Sequence, residues 1–135
     1  MHRILLSILF TTSLFAKDII AVLDLETIGL NPGEATILTQ RLTTKLISIG
    51  KYEVVERTNM DKILKEQKFQ HSGCTDSGSA VEIGQLLNTD YIVIGEVNLI
   101  DARTSHIEID LKLIDISIQE VVFSHSISEE LNSSA

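Results

Sequence analysis

Asp24 and Glu26 are the first residues of this chain whose types and spacing could do chemistry. Two apart at the end of an extended apolar run, they would point to one side and could hold a cation or divide acid and base roles. No third carboxylate or histidine is spaced to join them, and hard cations take six or more oxygens, so a solvated strand end or a backbone cap is the plainer reading. Cys74 follows His71 by three positions, which places a thiol near a base. A reactive thiol also needs a depressed pKa and a group to orient the imidazole, and neither is evident, so a structural loop cysteine is expected. His106 and His125 lie on neighbouring candidate strands, where they could meet Asp110 or Glu129 across a hairpin. Zinc wants three or four ligands, so cross-strand surface pairing is expected rather than a metal site. Gly73, Gly78 and Gly84 lack the lysine and strand-to-helix setting of a phosphate loop, and no GxSxG elbow is present. No catalytic, cofactor-binding or metal-binding residue is therefore assigned. Arg57, Glu66 and Gln67 make a polar group that reads as an ion-pair and capping network or, together with Cys74, as a partner-binding surface, where arginine is a favoured anchor.

The elements that must position these residues follow from apolar spacing. Ile19 to Leu25 is apolar almost without alternation, as in a strand covered on both faces. Asn31-Pro32-Gly33-Glu34 supplies a cap, a proline at the first helical position and a reciprocal glutamate. The helix that follows should bury Ala35, Leu38, Leu42, Leu46 and Ile49 and end at Gly50. Tyr52 to Glu56 reads as a short strand. Thr58 and Asp61 offer a cap for a second helix that turns Met60, Ile63 and Leu64 inward. Lys68 to Gly78 is polar and aperiodic, a loop. Ser79, with Glu82 three residues on, predicts the cap of a third helix carrying Ile83, Leu86 and Leu87 into the core. Tyr91 to Val97 is a second continuous apolar run, whereas His106 to Asp115 alternates, which marks an antiparallel strand with one wet face and Glu120 to Glu129 as its hairpin partner. The sum is a single α/β domain with three helices and a mixed sheet of about five strands, parallel βαβ units followed by an antiparallel meander. Asn132 to Ala135 reads as a frayed end.

The ends and the composition bound the setting. MHRILLSILFTTSLFA has a basic start, an apolar stretch and a small residue before Lys17-Asp18, the build of a secretory signal peptide over residues 1–16. It is short for a membrane span, which takes about 20 apolar residues. Its removal leaves residues 17–135 as one domain and shifts the formal charge from −8 to −9, since Arg3 is lost and no acid is. So acidic a surface repels phosphate, and no nucleic-acid partner is expected. One cysteine excludes an internal disulfide. No cysteine follows the expected cleavage site, so no lipid anchor is expected at a new N-terminus, nor a transmembrane segment in the mature chain.

One run, Val55 to Val97, carries a resemblance. Glu56-Arg57, Leu64-x-Glu66-Gln67, Gly73-Cys74, Ala80-Val81-Glu82-Ile83-Gly84 with Leu86-Leu87, and Tyr91-Ile92-Val93-Ile94-Gly95 resemble, in that order, the CsgG family of bacterial envelope proteins. The resemblance extends from Ile20-Ala21-Val22-Leu23-Asp24 to Leu113-Ile114-Asp115 and Glu120-Val121-Val122. It implies proteins that act by assembly and binding, such as the curli secretion channel and activators of peptidoglycan synthases, and no enzyme. It also places a second cysteine where Ser79 stands, and a Thr-Gly before the last strand where this chain has Ser117-Ile118-Gln119. Channel members carry transmembrane hairpins whose strands take about 9 to 11 residues each, and this chain has no stretch free to supply them.

The expectation is an exported periplasmic interaction domain, without cofactor, serving assembly, transport or regulation of a cell-envelope complex. Its partners would be envelope proteins, and possible homo-oligomerisation is included. Two alternatives stand beside it: an accessory subunit of a curli-like secretion system that forms a ring, and a small enzyme or ligand binder using Asp24, Glu26 or Cys74.

Overall fold

The computed structural model of the protein describes residues 16–67 and 75–130. The signal-peptide stretch up to residue 15, His71, Gly73, Cys74 and the C-terminal end lie outside the described residues. The elements run β1 (Asp18–Val22), β2 (Glu26–Ile28), α1 (Pro32–Ile49), β3 (Tyr52–Val54), α2 (Arg57–Glu66), α3 (Ser77–Leu86), β4 (Tyr91–Asp101), β5 (His106–Asp115) and β6 (Glu120–Glu130). They build one mixed sheet of six strands in the order β3-β1-β4-β5-β6, with β2 paired to β4 beyond the end of β1. β1 runs parallel to β3 and β4, and β4, β5 and β6 form the antiparallel meander.

The strand expected over Ile19 to Leu25 ends at Val22, and a separate strand begins at Glu26. β1 and β2 both pair with β4, matching Val22 to Val93 and Glu26 to Glu96, so four steps on one side span three on the other. One extra residue in a ladder bends the strand and leaves a backbone group to be satisfied elsewhere. The side chain of Thr39 does this: its hydroxyl oxygen accepts from the Leu25 N–H at 3.1 Å and donates to the Ala35 carbonyl at 2.9 Å. Leu23 still donates to the Val93 carbonyl at 3.0 Å. Alternation breaks as a result, with Leu23 packed among α2 and α3 residues and Leu25 beside Leu38 of α1.

α1 starts as its cap predicts. The Asn31 side chain accepts from the Gly33 N–H at 2.8 Å, the Glu34 side chain accepts from the Asn31 N–H at 3.1 Å, and Gly50 ends the helix at φ 70°. Its inward stripe holds Ala35, buried, with Leu38, Leu42 and Leu46 partly buried, but Ile49 is 57 % exposed and the polar Thr39, at 3 %, takes an inward place. The other two caps differ from expectation. α2 begins at Arg57 after Glu56, which makes no side-chain cap bond, so Thr58 lies inside the first turn. α3 begins at Ser77, and its cap is Asp76, whose carboxylate accepts from both the N–H and the hydroxyl of Ser79 at 2.9 Å. Ser79 is thus the group being held by the cap. Met60, Leu64, Ile83 and Leu87 are buried, whereas Leu86 is exposed and Ala80 and Gly84 face the sheet in its place.

Two glycines of the family-like motif owe their place to close packing. A Cβ at Gly95 would lie 2.5 Å from the Asp110 carbonyl oxygen and under 3 Å from Leu25 and Leu111, and one at Gly84 would lie 2.8 Å from Ile116 Cγ1. The turn from β5 to β6 closes without a Thr-Gly pair: the Asp115 carboxylate accepts from the Ser117 hydroxyl at 2.6 Å and the Ser117 N–H at 2.9 Å, and Gln119 takes φ 57°.

Two predictions follow from these contacts. Gly95→Ala forces overlap with backbone that cannot move aside, and should lower stability by about 2 kcal/mol or more in urea unfolding. Hydrogen bonds that Ser79 and Ser117 donate to their ionised forms hold Asp76 and Asp115 below the usual carboxylate pKa. Groups depressed in the folded state stabilise it above their unfolded pKa of about 3.9, and that contribution is lost as pH falls below it. The melting temperature should therefore drop on acidification through this range, and the drop should be shallower in Asp76→Asn/Asp115→Asn.

Candidate functional site

The bend between β1 and β2 turns Asp24 toward the N-terminus of α2, where Arg57 is the first helical residue. The two meet in a fork: Arg57 Nη2 donates to Asp24 Oδ2 and Nη1 lies 2.7 Å from Oδ1. The Nε of Arg57 faces Asp61 one turn on, at 3.9 Å. A planar guanidinium matches a carboxylate in this bidentate way and fixes orientation as well as charge. The side chains remain 41 % and 22 % exposed, so water screens the pair and its main effect is to register α2 against the end of β1.

This arrangement separates the residues that sequence spacing drew together. Asp24 is engaged by Arg57, while Glu26 opens β2 opposite Glu96, so the bend separates two carboxylates that one continuous strand would set on the same side. Glu66 and Gln67 sit at the far end of α2, about 14 Å along its axis from Arg57 at 1.5 Å per residue, where Gln67 N–H closes the helix on the Ile63 carbonyl. Arg57 therefore stands apart from Glu66 and Gln67, and Cys74 lies outside the described residues. The histidines do not reach the acids suggested for them. His106 Nε2 lies 2.6 Å from the Ser128 hydroxyl, and the His125 ring stacks beside Phe123 at 6.1 Å. Asp110 takes the hydroxyl of Ser126, and Glu129 lies across from Ile107. Among the described residues no three His, Cys, Asp or Glu are placed to hold a metal ion.

The register exposes a feature that sequence spacing could not show. Glu26, Glu96 and Asp110 stand abreast on β2, β4 and β5, with Ser126 next on β6, and Asn98, Glu108 and Ser128 form the adjacent row. Strand pairing across this sheet face thus aligns carboxylates that lie up to 84 positions apart in sequence, and like charges directly opposite repel. A shallow cavity of about 210 Å³ lies over this region, lined by Ile94, Glu96, Asp110, Lys112, Ser124 and Thr75 before α3. The alternating pattern of β5 was the available signal, but the pairing partners come only from the fold.

Removing either member of the Arg57–Asp24 pair should cost little. A double-mutant cycle with Arg57→Ala and Asp24→Ala, read by urea unfolding, should return a coupling of about 1 kcal/mol or less.

No helix among the described residues is long and apolar enough to cross a membrane. No curated protein matches the sequence. Solved structures share the fold at low identity. The LpoB C-terminal domain from Salmonella enterica matches with a TM-score of 0.66 at 16% identity, over 88% of this chain and 87% of that one. Lipoprotein GNA1162 from Neisseria meningitidis matches at 0.66 and 15% identity, over 87% and 84%. The PelC dodecamer from Paraburkholderia phytofirmans matches at 0.55 and 16% identity, over 84% of this chain and 71% of that chain. The model of the family described as curli production assembly/transport component CsgG matches residues 32–106, a span that takes in α1, β3, α2, α3, β4 and the turn into β5. With that match over more than half its length, the chain belongs to the CsgG family.

Proposed function

We propose that this protein is an exported periplasmic interaction domain with no catalytic role of its own, serving the assembly, transport or regulation of a cell-envelope complex. The observation that carries the reading is the family match over residues 32–106. The state of the polar groups supports it. Asp24, the best-placed carboxylate of the sequence, is engaged by Arg57, and the other candidates are spread over separate elements. Meanwhile β6 is exposed along its whole length at the rim of the sheet, and an open strand is a common means of binding another chain. Export rests on the leader-like residues 1–16. Arg57, Glu66, Gln67 and Cys74 are proposed as further partner-binding residues.

A ring-forming accessory subunit is the second reading, favoured by the likeness to a dodecameric PelC structure. Affinity capture from a periplasmic extract, combined with light scattering, separates the two: a docking module returns a defined envelope partner on a chain of low subunit number, whereas the ring reading predicts a large homo-oligomer. The variant Asp24→Ala/Glu26→Ala should fold and keep its partner and its cellular phenotype. Loss of the phenotype with folding and capture intact would show that these side chains do chemistry.

A further inference from the structure

β6 is unusual as a sheet edge. All eleven of its residues are exposed, and among the described residues it pairs with β5 alone. Edge strands are ordinarily protected by lysine, proline or brevity, and β6 has none of these; its protection is one bulge beside Phe123 and glutamates at its ends. One side presents Phe123, 56 % exposed, and Ile127, 37 % exposed, with His125 between them. The other side presents Ser124, Ser126 and Ser128, with Val121 and Glu130 at its ends, and behind the serines on β5 stand Lys112, Asp110 and Glu108. The row continues inward from Asp110 to Glu96 and Glu26. Glu120 marks one end of the strand, and Glu129 and Glu130 mark the other.

These charges decide between occupants. A second copy would bring the same carboxylates to the edge, Glu108 and Asp110 behind the serines and Glu120, Glu129 and Glu130 at the ends, on a chain whose formal charge is already −8. Like charges brought together repel, which favours a partner of opposite charge over a second copy. A cationic strand meets the opposite situation. Strands lie about 4.8 Å apart, so a strand added to β6 is about 10 Å from β5, a gap that a lysine or arginine meeting a carboxylate can bridge when only serine lies between. Lys112, across from Ser124, shifts the favourable positions toward Ser126, Ser128 and the Glu130 end.

We propose that β6 docks an extended basic segment of a partner protein, which joins the sheet as a further strand. Its lysines or arginines at alternate positions lie over Ser126 and Ser128 toward Asp110 and Glu108, and its apolar residues between them pack on Phe123 and Ile127. This rests on the interaction-domain reading above and names the chemistry of the partner.

The test uses the chain purified from its host's envelope fraction and two labelled peptides, one of alternating lysine and valine and one with glutamate for each lysine. Fluorescence anisotropy should show the basic peptide binding at least about tenfold more tightly than the acidic one. Amide exchange over residues 120–130 should slow in the complex, which a diffuse electrostatic film would not cause. The variant Glu108→Gln/Asp110→Asn/Glu130→Gln, at unchanged circular dichroism, should weaken the basic peptide by about tenfold. Equal binding of both peptides, binding indifferent to the triple substitution, or unprotected β6 amides would overturn the proposal. If the peptide arm fails while the wild-type chain still captures an envelope partner, the docking edge is wrong and the interaction reading survives. Failure of both removes the interaction reading itself.

Discussion

β4 is the strand on which the rest of the fold depends. It pairs with β1 and β2 on one side and with β5 on the other, and its residues are buried from Ile92 to Gly95. A strand in that position must satisfy every backbone group from its neighbours, because water cannot reach it. The cost of admitting an extra residue opposite it, at Asp24 and Leu25, is therefore met locally by Thr39 from α1. Gly95 is the matching concession on β4, where the Asp110 carbonyl and the side chains of Leu25 and Leu111 crowd the space a Cβ would occupy. Asp90, just before β4, adds a further tie: its carboxylate and N–H bond the backbone of Ile19, and its carbonyl accepts from Ile116. The strand order is fixed by these contacts as well as by apolar burial.

Much of this was legible in the sequence because burial leaves a period. The continuous run at Tyr91 and the alternation from His106 each led to the right kind of strand, and the Asn31 capping box placed the start of α1. The errors share a cause. Thr39, Ala80 and Gly84 are small or polar, so a pattern built on large apolar residues passes over them, yet each is chosen by a neighbour that exists only in the fold. Asp76 displaced Ser79 as the cap of α3 because both residue types cap helices well and only the helix start distinguishes them. Splitting β1 from β2 was hidden for the same reason, since Leu23 and Leu25 are both apolar and the flip between faces changes neither residue.

The candidate site was less legible than the fold. Arg57 was readable as an ion-pairing residue, but its partner lies 33 positions earlier and Glu66 and Gln67 lie on the far end of the same helix. Residue type tells what a side chain can bond to, and long-range pairing decides what it does bond to. The same limit applies to Glu26, Glu96 and Asp110, three carboxylates that spacing cannot relate and that strand register sets in one row.

The exposure of β6 is best understood through what holds it. Its ladder to β5 runs the length of both strands with one irregularity near Leu113, so backbone bonds keep it in place while its side chains bury almost nothing. Apolar burial is the dominant favourable term in folding, and an element that omits it contributes little to stability beyond that ladder. Such a strand is easily lengthened or altered without disturbing the core around β4, because no core side chain leans on it. The sheet therefore divides into a half that is packed between α1 and the α2–α3 pair and a half that meets solvent. The packed half sets the geometry, and the solvent half, with apolar residues on one face and carboxylates behind serines on the other, offers a surface that can diverge independently of the fold.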